Sequence, residues 1–534
     1  MKKKFYGSIA LASTAALLLA GCAGGGDNSG GSSNGITVGT TEVVTSLDPA
    51  GSYDNGSFAI ATNVYPFLLN NPVGEATVEP DIAETAEFTG PTEYTVTLKK
   101  DLTFANGHDL TASDVVHTFE RMLNIDDANG PQSLLEGMES VKATDDLTVV
   151  FTLKAEHDQT FPQILSSPVA PILDEEVFPA DKLLDDAAVI EAKPFAGQYT
   201  LERFDKGNLA VFKANDAYKG IWGAPKTEQI NVRYFANESN LSQAIETKAV
   251  DVAFRSLSAT DVAKFEKTDG LNVVHGPGGE IRYIVFNFDT MPYGAATAEA
   301  DANKALAVRQ AVADLIDREK IAHEVFKDTY TPLYGHVPAG LEGAAEPLKS
   351  LYGDGNGGAD AAKAASRLEA AGVETPVTLD LQYVAERYGA AATEEYAQIK
   401  AMLEADGLFN VNLQTTEWGV YSKEYSSGAY PAFQLGWFPD YSDADNYLTP
   451  FFLEGGFLKN HYNNEAVNTL LREQVATDDA AKRASLIEEV QNLTANDLPT
   501  VPLLQGAQVA VAVDGISGVT LDPSFKFRFG TLAR

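Results

Sequence analysis

Residues 430–452 read YPAFQLGWFPDYSDADNYLTPFF, and the fold turns on how that stretch is read. Ala432, Phe433, Gln434 and Leu435 predict a short buried strand that runs into Gly436-Trp437-Phe438-Pro439-Asp440. A strand followed by a glycine, two aromatics, a proline and a carboxylate predicts the floor of a cleft. Glycine admits another backbone at close range, and the rings offer rigid apolar surface with little side-chain entropy to lose. Proline fixes φ and donates no N–H, so Asp440 projects from a stiffened turn. By residue type alone a second interpretation stands beside this one: Trp437 and Phe438 are core, and Asp440, Ser442 or Asp443 caps the next helix.

Residues 436–451 strongly resemble the hallmark of the peptide/nickel family of extracytoplasmic solute-binding proteins, which serve ABC importers. In members of that family that take di- and oligopeptides, the aspartate three residues after the tryptophan pairs with the ligand's α-amino group. The resemblance assigns that part to Asp440, with Trp437 and Phe438 beside it. Further upstream, Leu47-Asp48-Pro49 is followed by the turn-forming residues Ser52 to Ser57 and an apolar helix expected over 58–69. That order resembles the family's first binding loop, whose backbone bonds the ligand's main chain as in strand addition. It implies contact from Tyr53, Asp54, Asn55 and Gly56; the residues alone describe an ordinary strand-to-helix connection equally well. Arg387, in Glu386-Arg387-Tyr388-Gly389, corresponds by position to a basic residue that some dipeptide-binding members place on the ligand carboxylate. A guanidinium suits that task because its fork matches a carboxylate. The plain alternative is a surface ion pair with Glu386 or Glu394.

The rest of the chain follows the family in order. Residues 79–123 carry the longest continuous likeness, with an alternating strand at Tyr94, Val96 and Leu98 and a capping box at Thr111-Ala112-Ser113-Asp114 opening a helix. Strand, helix and strand over residues 230–255 predict parallel pairing. Residues 308–321 match the family's V-R-Q-A-(x)4-I-D-R-x-x-I helix, and residues 498–503 its return strand. In place of the family's G-x-G-x-Y, this chain has Ala196-Gly197-Gln198 after Phe195, so the first glycine is lost.

At the N-terminus, Lys2, Lys3 and Lys4 precede an apolar run and Leu19-Ala20-Gly21-Cys22, which matches the lipobox of bacterial lipoproteins. Cys22 is the one cysteine of 534 residues, so no internal disulfide forms, and diacylglyceryl attachment is expected there. Residues 23–35, rich in glycine and serine, are expected to be a flexible tether. A formal charge of −36, from 39 basic and 75 acidic residues, argues against a nucleic-acid partner and against docking on anionic lipid through the protein surface.

Several look-alike motifs fail on context. Gly31-Ser32-Ser33-Asn34-Gly35 spells a hydrolase elbow but lies in the tether. His323-Glu324 is not followed by a second histidine, since Lys327 stands there, so a zinc protease is unsupported. Gly353-Asp354-Gly355-Asn356-Gly357-Gly358 spells a dinucleotide loop without a preceding strand, and Asp443 and Asp445 do not continue into a calcium loop. Seven scattered histidines form no cluster.

The expectation is therefore an α/β protein with the two-lobed periplasmic-binding-protein-like fold. A leader (1–22) and tether (23–35) precede a discontinuous first lobe (36–66, 195–288 and 502–534). A small accessory domain (67–194) and a second lobe (289–501) complete it. The resemblance implies no enzyme, cofactor or metal, but a monomer on the outer face of the cell membrane, anchored through Cys22. It would capture a small peptide between lobes and deliver it to the transmembrane subunits of an ABC permease. A non-peptide solute, such as a nickel chelate or sugar, is the alternative ligand, and a secreted hydrolase the competing class.

Overall fold

Every residue of the strand Ile281–Phe286 is buried, and its side chains divide by alternation. Ile281, Tyr283 and Val285 join one apolar cluster and Ile284 and Phe286 another, as a period of two demands of a strand covered on both faces. It sits inside a six-stranded sheet ordered Tyr330–Pro332, Thr500–Gly506, Ile281–Phe286, Ala432–Trp437, Val377–Tyr383, Phe409–Thr415. Helices Ala302–Leu315, Ala361–Ala370 and Ala392–Glu404 cover one face, and Glu465–Val475 with Ala480–Asp497 the other. The computed structural model describes residues 35–534 apart from Ser256, Glu386 and Ala390. Cys22, the leader and the tether as far as residue 34 lie outside the described residues; Gly35, expected to end the tether, opens the first strand.

A seven-stranded sheet forms the other lobe, ordered Leu271–Gly276, Gln508–Val513, Val252–Phe254, Gly35–Thr40, Gln229–Tyr234, Leu209–Ala214, Tyr199–Asp205. The expected strand–helix–strand unit is there: Gln229–Tyr234 and Val252–Phe254 both pair parallel with Gly35–Thr40, joined by helix Glu238–Glu246, which Asn237 caps. A third, four-stranded sheet (Ala83–Phe88, Glu93–Leu98, Thr148–Leu153, Met138–Ala143) carries helix Ala112–Ile125, opened by the reciprocal Thr111–Asp114 capping box. That small domain is bolted to the first lobe by a buried ion pair. Arg121 Nη1 and Nη2 donate to the two oxygens of Asp48 at 2.9 and 2.6 Å, and Asp48 also accepts from the backbone N–H groups of Ala50 and Leu184.

Between lobes the chain passes twice, side by side. Leu271–Gly276 pairs antiparallel with Gln508–Val513 in one sheet, Gly276 opposite Gln508. Ile281–Phe286 pairs antiparallel with Thr500–Gly506 in the other, Ile281 opposite Gln505. The outgoing residues 277–280 and the returning residues 506–508 thus continue one two-stranded ribbon. A Cβ on Gly278 would stand 1.3 Å from the Gly506 carbonyl oxygen, so only glycine permits this approach. Gln505 and Gln508 brace the ribbon, donating through Nε2 to the carbonyls of Gly278 and Pro277, each at 2.7 Å.

This pairing corrects the expected division in two places. Residues 281–286 and 502–506, expected in the first lobe, are strands of the six-stranded sheet. A strand buried on both faces carries no mark of which sheet owns it. The helix expected at 58–69 is Asn55–Val64, three residues earlier because Asp54 caps it, and Leu69–Asn70 is instead a short strand against Glu79–Pro80. The helix expected over 308–321 is two, Ala302–Leu315 and Arg318–Glu324, divided where Asp317 accepts from the Lys320 N–H and starts the second.

Candidate functional site

Both lobes and the loop before helix Asn55–Val64 wall a cleft of about 960 Å³, and Tyr53, Asp54, Asn55, Gly56, Arg387, Trp437, Phe438 and Asp440 all stand on its wall. The strand Ala432–Trp437 reaches it from the second lobe. On one side that strand is paired along its whole length; on the other Val377–Tyr383 meets it only at Ala432 and Phe433. Beyond Phe433 the edge has no partner strand among the described residues, and the Gly436 N–H is met by the Tyr388 hydroxyl at 3.0 Å.

Asp440 is held by Asn446. The Asn446 Oδ1 accepts both the Trp437 indole N–H and the Asp440 backbone N–H at 3.0 Å, while its Nδ2 donates to Asp440 Oδ2 at 3.3 Å. From the opposite lobe the Tyr53 hydroxyl donates to Asp440 Oδ1. Among the described residues Asp440 has no cationic partner. Desolvation pushes its carboxyl up to about 6, outweighing the two hydrogen bonds that favour the anion. Desolvation and the adjacent Asp440 charge raise the Tyr53 phenol well above its ordinary range, so it remains a donor. The helix-cap interpretation falls to Asp443: it accepts from the Asp445 N–H and holds Arg483 by two bonds of 2.7 and 2.8 Å. Trp437 is both wall and packing, edge-on to Phe451 and stacked on Phe457.

Of residues 53–56, at the entry to helix Asn55–Val64, only Tyr53 addresses the opposite wall. Asp54 caps the helix, accepting from Ser57 N and Ser57 Oγ at 2.8 Å. Gly56 is required for packing, since a Cβ there would lie 2.1 Å from the Val43 carbonyl oxygen. Asn55 is the half-buried first residue of the helix. Tyr53, 42 % exposed, reaches across.

Arg387 is exposed and lies 4.5 Å above the Trp418 ring. No ion pair joins it to Glu394 among the described residues, and Glu386 lies outside them. Its loop is fastened from beneath by buried Arg282, which donates to the Tyr388 carbonyl at 2.6 Å, Tyr330 Oη at 3.1 Å and Glu395 Oε2 at 3.1 Å. Sequence reasoning missed Arg282, Glu395, Asn446, Glu42 and Arg255. Arg282 and Glu395, and Glu42 and Arg255, find each other only across long stretches of chain; Asn446 sits six residues after Asp440, but no local spacing marks it as the side chain that braces the turn.

Among the described residues no three His, Cys, Asp or Glu side chains come together as a metal site. His323 faces solvent and pairs with Asp328. In the glycine loop, amides that a phosphate would need are already engaged: Gly353 N–H by Asp314 and Gly358 N–H by Asp354. No described helix is long and apolar enough to cross a membrane.

The chain matches the profile of "Bacterial extracellular solute-binding proteins, family 5 Middle" over residues 77–459. It is 24 % identical over 506 residues to the dipeptide-binding protein of Escherichia coli K12, covering 88 % of this chain and 89 % of that one. It is 25 % identical over 502 residues to the glutathione-binding protein GsiB of Salmonella choleraesuis, covering 91 % of each. Among solved structures it is similar to the dipeptide-binding protein of Pseudoalteromonas sp. SM9913 in complex with Met-Leu, with a TM-score of 0.73 and 21 % identity, covering 93 % and 99 % of the two chains. With the family model matched over most of its length, this chain belongs to the bacterial extracellular solute-binding proteins of family 5.

Proposed function

We propose that the cleft captures short peptides by both ends and releases them, unaltered, to the permease of an ABC importer. Asp440 takes the α-ammonium, Arg387 the α-carboxylate, and the main chain of the ligand lies along the unpaired edge beyond Phe433. The observation that carries this is Asp440: a half-buried carboxylate, oriented by Asn446 and without a cation, aimed into a cavity of about 960 Å³. A buried anion without a counter-charge is unfavourable, and an incoming ammonium removes the penalty. The volume suits a ligand of a few residues. Binding and release need no bond-making group. The leader and lipobox support an anchor through lipid on Cys22 at the outer face of the cell membrane; Cys22→Ser should abolish labelling by radiolabelled fatty acid.

A calorimetric double-mutant cycle tests the amine assignment. Truncating one member of a buried charge pair costs roughly 2–5 kcal/mol, so Asp440→Ala should weaken peptide binding about 30- to 4,000-fold. N-acetylation should cost the wild type a comparable amount and the variant little, because both changes delete one interaction. Equal acetylation penalties in the two proteins would remove Asp440 from this role. Amidation of the C-terminus, set against Arg387→Ala, reads the other end in the same way.

A further inference from the structure

Four basic side chains stand on the cleft wall: Arg255, Arg282, Arg387 and Lys526. Two are engaged within the protein. Arg282 is buried among Glu395, Tyr330 and the Tyr388 carbonyl. Lys526, also buried, donates to Asn70 Oδ1 and Asn71 Oδ1, both at 2.8 Å. Arg387 has its part in the reading above. Arg255 has none.

Arg255 follows the strand Val252–Phe254 in the first lobe, at φ 60°, a left-handed conformation that a long L side chain adopts only where its surroundings hold it. Its guanidinium carbon lies 4.3 Å from the centroid of the Phe438 ring, on the other lobe and two residues before Asp440. Its Nε is 3.0 Å from Glu42 Oε1, and 24 % of the side chain is exposed. A guanidinium is flat and offers a carboxylate two edges, one containing Nε and one made of the two terminal nitrogens. Phe438 lies against the guanidinium, and Glu42 stands beside Nε at ion-pair distance without a hydrogen bond through it. Arg255 is a cleft-lining guanidinium placed by Phe438 and Glu42, whose terminal nitrogens have no acceptor among the described residues.

We propose that Arg255 is a second carboxylate-binding group of the cleft, taking an anionic group of the ligand near its amine end on the terminal edge. This rests on the peptide reading. The carboxylate has two sources of the same chemistry: an acidic side chain on the second residue of a peptide, or the α-carboxylate of a dipeptide, in which case Arg255 takes the part given above to Arg387. Glu42 shares the same cation and repels the incoming anion, so it weakens this contact while it holds Arg255 in place.

Calorimetry on the full-length protein with two matched peptide pairs tests the proposal: Ala-Glu-Ala against Ala-Gln-Ala, and Ala-Ala against Ala-Ala amide. Wild type should prefer the charged member of at least one pair by roughly tenfold or more, the range of a charge-assisted contact. Arg255→Met, whose stem still lies on Phe438, should lose that preference while binding the uncharged member within about threefold. The pair in which the preference vanishes names the source of the carboxylate. Glu42→Gln should widen the same preference by removing a like charge, and it carries the test by itself if Arg255→Met does not fold. Preferences of equal size in wild type and Arg255→Met, or unchanged in Glu42→Gln, overturn the proposal. Peptides that bind wild type without discrimination overturn it alone; failure of every peptide to bind overturns the peptide reading and this proposal with it.

Discussion

At the scale of single residues, Asp440 is in tension with the fold that holds it. Its carboxyl is pushed up to about 6 in the folded protein from an ordinary 3.8. The folded state therefore binds the proton more tightly than the unfolded chain, and stability falls as pH rises from about 4 to about 6, staying low above that. Asp440→Asn should raise the melting stability of the ligand-free protein at pH 7, by about 1–2 kcal/mol once the new donor–donor contact with Asn446 Nδ2 is subtracted. Binding of an ammonium has the opposite sign. It needs the ionised carboxylate, so affinity should hold above about pH 6 and drop about tenfold per unit below it, and N-acetylated peptides should show no such slope. Titrations at four pH values check this. The aspartate itself was legible in Trp437-Phe438-Pro439-Asp440. The phenol that meets it was not legible as a partner, because Tyr53 lies 387 residues away and only folding brings it there.

At the scale of elements, the Asp48–Arg121 pair decides where the loop holding Tyr53 sits. Both side chains are buried, and Asp48 caps the short helix Pro49–Gly51 just before that loop. Asp48→Ala leaves Arg121 charged and unpaired, which should lower stability by about 3–5 kcal/mol in chemical denaturation and weaken peptide binding as the loop loosens. Elements whose signals are local were readable in advance. The capping box at Thr111 and Asp114 and the alternation of Tyr94, Val96 and Leu98 each sit within a few residues of what they determine. Sheet membership is a different kind of fact. Ile281–Phe286 announced itself as a strand, yet its sheet is set by ladders to residues 432–437 and 500–505, which no window around it contains. Arg255 was likewise visible only as the end of a strand, since its stacking partner Phe438 comes much later in the chain.

At the scale of the whole molecule, several contacts close the space between the lobes. Among them are Tyr53 on Asp440, Arg255 and Phe525 on Phe438, and the Gln159 N–H on the Val475 carbonyl at 2.9 Å, which brings the small domain against the second lobe. Opening must break them by bending the ribbon of residues 277–280 and 506–508, while the two large sheets stay rigid. A bound peptide should therefore reduce the radius of gyration in small-angle scattering and alter the emission of Trp437, which lines the cleft. A saturating ligand that leaves both unchanged would count against hinge closure. Gly278→Ala should force the two ribbon strands apart, costing roughly 1–3 kcal/mol of stability and blunting the ligand-induced compaction, because its methyl has no room beside Gly506.

The paired crossing also dictates a schedule of assembly. As the chain emerges from its N-terminus, the six-stranded sheet is complete once Thr500–Gly506 has appeared, since all its strands lie between residues 281 and 506. The seven-stranded sheet began at Gly35, yet its strand Gln508–Val513 must slot between Leu271–Gly276 and Val252–Phe254. Until then Val252–Phe254 presents an apolar edge without its neighbour. The lobe that starts first is finished last, and the interval in which it is vulnerable to misassembly spans the synthesis of the entire second lobe.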